Sequence, residues 1–241
     1  MKTIKLTSSA LAALTLVTLA APTFADSKSY TSNGTIEYTP STSITTPVDP
    51  QDPETAVTPE NPDGTTPPVG TAGPLSIDFA SSFDFGKQEI TSVDKVYNAA
   101  AQKLNDGTTR TNYVQVTDNR GTLAGWSLNV MATDFTNGKT GAGSTLTGAQ
   151  ITLGDGEIQS ASQQPADKFM KSTTLTPNTA SGTILGASAG NGAGTNLLDF
   201  GGKDGKTKDT AVTLSVPGNS TKLAGKYTAQ LTWTLSETPA N

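Results

Sequence analysis

The chain has 241 residues, 16 Lys plus Arg against 21 Asp plus Glu, a net charge of −5, and neither histidine nor cysteine. Without those two residue types it has no Ser-His-Asp or Cys-His catalytic group, no common zinc site and no disulfide, so its core must hold the fold unaided. The acidic balance makes nucleic acid and anionic lipid poor partners.

Residues 1–25 read as a secretory signal peptide. Lys2 and Lys5 give a positive start, Leu11 to Ala21 is an apolar run broken only by Thr, and Ala21-Pro-Thr-Phe-Ala25 offers small residues for cleavage. The run is too short for a comfortable membrane span. A mature chain beginning at Asp26 is expected outside the cell, with no membrane insertion after cleavage. It has no Cys to lipidate, and it ends Leu235-Ser-Glu-Thr-Pro-Ala-Asn241, with no hydrophobic tail and no LPXTG-type motif. Retention at the cell would therefore be non-covalent. Asp26 to Pro74 carries seven acids and one lysine, whereas Leu75 to the end carries 14 acids against 13 bases. Bulk charge therefore gives no attraction to a negatively charged wall, and wall affinity would need shaped, short-range contacts.

After the Asn33-Gly34 turn, Thr35-Ile-Glu-Tyr38 alternates as a short strand does. Thr39 to Pro74 holds nine of the 14 prolines among Thr, Ser, Asp, Glu and Gly, a composition that predicts an extended, mobile spacer or long loop. Leu75-Ser-Ile-Asp-Phe79 and Phe83-Asp-Phe85 then alternate in the strand period. Val93 to Leu104 has the one helical look in the chain, with a strand and loop as the other possibility. Tyr113, Val114 and Val116 form a segment that Asp118-Asn-Arg-Gly121 would close as a hairpin turn. Trp126, Leu128 and Val130 alternate against Ser127, Asn129 and Met131. Ala149 to Gly154, Leu197 to Gly201 and Ala211 to Val216 are further short strands, and the Gly- and Ser-rich run Ser181 to Thr195 reads as a surface loop. Near the end, Tyr227, Ala229, Leu231, Trp233 and Leu235 alternate with Thr228, Gln230, Thr232, Thr234 and Ser236, giving one greasy and one hydroxyl-rich face. Short strands between Gly-rich turns predict an all-β chain. The expected form is a single antiparallel β-sandwich or barrel-like domain over residues 26–241, with long Gly/Thr/Ser-rich loops.

Catalytic signals are weak. Asp78 with Asp84, or Asp155 with Glu157, are the carboxylate pairs that a glycosidase would need, but acids beside Gly and Asn are usually turn residues. Gly138-Lys-Thr-Gly-Ala-Gly-Ser144 has Thr at position 133, where a phosphate-binding loop needs Gly, and reads as a plain loop. Asp204-Gly-Lys-Thr-Lys-Asp209 lacks the dense acids of a calcium loop and reads as a turn, a weak calcium contact being the alternative. No enzyme activity, metal or cofactor is expected. Trp126 and Trp233 admit two readings: buried core, because each shares its face with Leu, or partly exposed rings that stack on sugars or a partner.

Tyr227-Thr-Ala-Gln-Leu-Thr-Trp-Thr-Leu-Ser-Glu-Thr-Pro239 fits the distal motif YxxxLTWxLxxxP of the WxL surface-protein family at every fixed position. Val116 to Leu128 resembles that family's first WxL segment, and Gly73 to Phe79 and Phe83 to Gly86 resemble its opening strands. The resemblance implies a surface protein of Gram-positive bacteria, held non-covalently on the cell wall with peptidoglycan as ligand and made alongside other exported WxL proteins. The family's signature positions fall on Trp126, Leu128, Tyr227, Leu231, Trp233, Leu235 and Pro239, as core or as wall or partner contacts. The expected function is non-catalytic attachment to the wall. The alternative is a structural subunit that docks on a wall- or membrane-held partner, for instance by strand addition. Nothing in the residues argues for host adhesion.

Overall fold

A computed structural model describes residues 27–241; the expected signal peptide lies outside the described residues. Tyr38–Asn241 forms one compact unit. Its strands are β1 (Val48–Asp49), β2 (Asp52–Ala56), β3 (Pro59–Glu60), β4 (Leu75–Ala80), β5 (Lys95–Asn98), β6 (Gln102–Leu104), β7 (Thr109–Arg110), β8 (Asn112–Asp118) and β9 (Trp126–Ala132). They continue with β10 (Gln150–Leu153), β11 (Gly156–Gln159), β12 (Lys168–Phe169), β13 (Thr173–Leu175), β14 (Leu185–Ala187), β15 (Gly194–Phe200), β16 (Val212–Val216) and β17 (Leu231–Ser236). No helix forms among the described residues, so none there is long and apolar enough to cross a membrane.

The chain is all-β as expected, but the expected single sandwich or barrel does not form. Three four-stranded sheets run in the orders β13-β10-β16-β5, β11-β15-β8-β4 and β12-β14-β9-β17, beside a three-stranded sheet β3-β6-β7 and the hairpin β1-β2. Four of these small sheets make a propeller-like ring. The reason is local: strands of two to seven residues are cut by Gly-rich loops, and apart from β1-β2 and β6-β7 successive strands change sheets or partners instead of folding back on one another. Alternation tells which side of a strand is apolar; it does not name the neighbour.

The apolar faces of the three larger sheets share one core. Val114, Val116, Leu198 and Phe200 come from β8 and β15, Trp126, Leu128 and Val130 from β9, and Ile151, Leu153, Val212, Leu214 and Val216 from β10 and β16. Strand β8 is buried along its whole length, because its second face is covered too. There Tyr113, Phe79 and Leu197 make a small second cluster with Val48, the two rings 4.8 Å apart at their centroids.

That second cover comes from the proline-rich segment, which is therefore no plain spacer: it contains β1, β2 and β3. Polar groups hold it down. The Gln115 side chain accepts from Val48 N–H (2.8 Å) and donates to Thr46 O (3.1 Å). Arg110 Nε donates to buried Asp49 (2.6 Å), and Gln51 Nε2 donates to Thr111 Oγ1 (2.7 Å). Apolar content was the wrong measure of order here, since part-buried hydrogen bonds to distant side chains do much of the ordering.

Four further expectations change. Thr35–Tyr38 joins no ladder, and neither does Phe83–Phe85. Val93–Leu104, read as either a helix or a strand and loop, takes the second form and contains β5 and β6. Asp118–Gly121 is not a hairpin turn, because β8 and β9 belong to different sheets; Asp118 instead accepts from Arg120 N–H, Nε and Nη2 at this corner. Within Ser181–Thr195, the fully buried β14 pairs with β9, so part of that run is interior.

Candidate functional site

The two Trp-x-Leu segments are neighbours. Strand β17 pairs antiparallel with β9, setting Leu235 opposite Leu128 and Trp233 opposite Val130. Opposed residues share a face, so Trp126 and Trp233 both point to the core side and flank the Leu128–Leu235 pair. They stand four residues apart along the strand direction, about 13 Å, so the indoles do not stack on each other. Leu231, opposite Ala132, completes the row.

Their environments differ. Trp126 is wholly buried, and its Nε1 donates to Gly192 O at 3.1 Å. Gly192 sits at φ +86°, and a Cβ there would lie 2.4 Å from Ala187 Cβ and 2.5 Å from Trp126 Nε1. Only glycine lets this backbone reach the indole. From the other side comes the end of the chain. Ala240 is buried and donates its N–H to Ala187 O (3.0 Å), and Pro239 packs against Gly125, where a Cβ would meet its ring at 3.0 Å. Trp126 is thus sealed from any sugar. Trp233, Leu231 and Leu235 are only half-buried, packing on the core from β17 at the end of its sheet.

Tyr227 lies outside β17 and works as a clasp. Its hydroxyl donates to Gly143 O and accepts from Leu223 N–H (2.9 Å), joining the Gly138–Ser144 loop to the approach to β17. Thr136 bridges to both Thr145 and Thr228 alongside. The Gly138–Ser144 loop is thereby tied to the approach to β17.

The acids have structural partners. Asp78 is buried and accepts from Ser76 Oγ (2.6 Å), Thr117 Oγ1 (2.6 Å) and Gln115 Nε2 (2.9 Å); burial still pushes its carboxyl above the usual range. Asp84 accepts from Gly86 N–H, and Glu157 from Lys203 N–H. Asp155 occupies a turn at φ 48°. Asp204 accepts from Lys206 through both side chain and backbone. No group of three or more acids that could hold a metal ion occurs among the described residues.

Sequence reasoning missed Asp199. It is wholly buried, Gln51 Nε2 lies 3.3 Å from its Oδ2, and among the described residues its Oδ1 has no partner. Burial, with Glu157 and Asp49 nearby, pushes its carboxyl up to about 7 against the opposing bonds from Thr111 and Gln51. An Asp in the run Asn-Leu-Leu-Asp-Phe200 carries no local sign of this; its surroundings come from residues 148 positions away. Two open grooves lie on the surface of the described residues. One, about 400 Å³, lies beside the start of β17 between Thr133, Asn178, Thr228 and Gln230. The other, about 540 Å³, lies between Tyr38, Asn119, Arg120 and Leu123.

The model of one family, the WxL domain, described as surface cell wall-binding, matches residues 25–239. The chain belongs to the WxL family. No curated protein and no solved structure matches it. The WxL domain is a surface, cell-wall-binding domain, so a place at the cell surface follows from the family. Within the WxL chain the residues singled out from the sequence divide into a sealed set, Trp126 and Leu128, and a half-open set, Leu231, Trp233 and Leu235, with Tyr227 and Pro239 closing the loops around them.

Proposed function

We propose that this WxL chain is a non-catalytic surface protein attached non-covalently to the cell wall by binding peptidoglycan. It would be exported through cleavage of residues 1–25. The family match across residues 25–239 carries the reading. The grooves support it as well, since Thr, Asn, Gln and the exposed Tyr38 ring line them and suit sugar hydroxyls and sugar faces. Signature residues act in this reading mainly as scaffold, because Trp126 is sealed. The purified chain is expected to co-sediment with purified peptidoglycan and to be displaced by soluble muropeptides more than by salt. A chain left wholly in the supernatant ends this reading.

The unpaired outer edge of β17 favours a second reading, in which the chain is a structural subunit that docks on a wall- or membrane-held partner, other exported WxL proteins included. Binding to such a partner with no binding to bare peptidoglycan distinguishes the two.

A further inference from the structure

Strand β17 is the last of its sheet, and among the described residues no backbone hydrogen bond reaches its outer side. On β9, the carbonyls of Leu128, Val130 and Ala132 serve Ile184, Ser181 and Asn178, on the side away from β17. The intervening Ser127, Asn129 and Met131 therefore face β17 and bond Ser236, Thr234 and Thr232. By the same alternation, the N–H and C=O groups of Leu231, Trp233 and Leu235 point outward. These three residues are also the half-buried ones: each side chain is covered by the core on one flank only. Edges of this length are normally guarded by charge, proline or a bulge, and Leu231–Ser236 has none of them.

The chain also carries a segment of matching pattern. Thr35-Ile-Glu-Tyr38 alternates in the strand period yet joins no ladder, with Ile36 78% and Tyr38 84% exposed. Two large apolar side chains held in water on one side of a strand-patterned segment are the complement of a half-covered apolar row.

We propose that Thr35–Tyr38 of a second copy of this chain adds as a strand to the outer edge of β17, laying Ile36 and Tyr38 over Leu231, Trp233 and Leu235. The occupant is a second copy because one chain holds both the strand-patterned segment and the open edge. Thr232 and Thr234, whose side chains lie on the solvent face of β17, are uncharged and set no acid against Glu37. Main-chain bonds to the three outward residues would supply affinity, and the apolar row would fix the register. The inference goes beyond wall attachment and does not rest on it.

Sedimentation velocity of the purified chain, from micromolar to millimolar, is expected to show reversible self-association. The Ile36→Lys chain is expected to associate at least tenfold more weakly with an unchanged melting temperature, because Ile36 is exposed in the single chain. Because the chain is free of Cys, a second measurement is clean. A Glu37→Cys chain mixed with Thr232→Cys or Thr234→Cys chains should give a mixed disulfide dimer on oxidation. A Lys139→Cys partner, whose cysteine lies outside β17, should not. A monomer at every concentration, an Ile36→Lys chain that assembles like the parent, or cross-linking no greater than the Lys139→Cys control would each overturn the proposal.

Discussion

Trp126 and Trp233 share a motif and a sheet face but not an environment, and their substitution should separate them. Trp126→Ala empties a fully buried site and leaves the Gly192 carbonyl with Asn196 Nδ2 as its remaining donor, so a loss of about 3–5 kcal/mol is expected, mainly from the cavity. Trp233→Ala removes a half-buried ring at a sheet edge and should cost roughly half as much. Urea melts of the two variants check this; equal losses would show that β17 is as enclosed as β9. The residues around Trp126 are small for a reason. Gly125, Gly186, Ala187 and Gly192 pass within contact of the indole, of one another or of the chain end, so side chains there would push the strands apart.

Among elements, the β1–β2 hairpin takes two of its anchoring bonds from a single distant side chain. Gln115, buried in the middle of β8, accepts from Val48, donates to Thr46 and donates to Asp78. Gln115→Ala leaves the Asp78 carboxylate short of a donor and the hairpin held only by Arg110–Asp49 and Gln51–Thr111, at a cost of about 2–4 kcal/mol. Amide exchange should locate the effect: the Val48 N–H is expected to exchange at least tenfold faster while the amides of β9 and β10 slow or hold. Uniform acceleration across the chain would mean that the hairpin melts only with the whole fold.

For the whole molecule, buried carboxyls set the response to pH. Asp199 has a folded value of about 7, above its ordinary 3.8, and Asp78 is shifted in the same direction, both by burial. A raised carboxyl favours the protonated fold. Its stabilisation is full below the ordinary value and is lost as pH rises through the folded one. Unfolding free energy is therefore expected to fall between about pH 4 and pH 7, by at most about 1.4 kcal/mol per pH unit from Asp199, and to level off above, with the melting temperature following it. Asp63, Asp106 and Asp204 are exposed and shifted down by their turn partners, so any contribution of theirs fades only below about pH 4. In the Asp199→Asn chain the slope between pH 4 and 7 should flatten; an unchanged slope removes Asp199 as its source.

The two-residue period around Trp126 and Trp233, the short strands between Gly-rich turns and the fit to the WxL motif were all legible in the sequence, because side-chain alternation and turn chemistry are local properties of the backbone. The sequence also determined which chemistry is missing, since a chain without His or Cys forgoes their ligands in any fold. Sheet membership was decided only by the tertiary structure. Local pattern orients a strand but does not select its neighbour, so the hairpin expected at Asp118–Gly121 became a corner between sheets. Order in the proline-rich segment came from Gln115 and Arg110, far along the chain. The difference between a sealed Trp126 and a half-open Trp233 has the same origin: β9 lies between β14 and β17, whereas β17 has a neighbour on one side only.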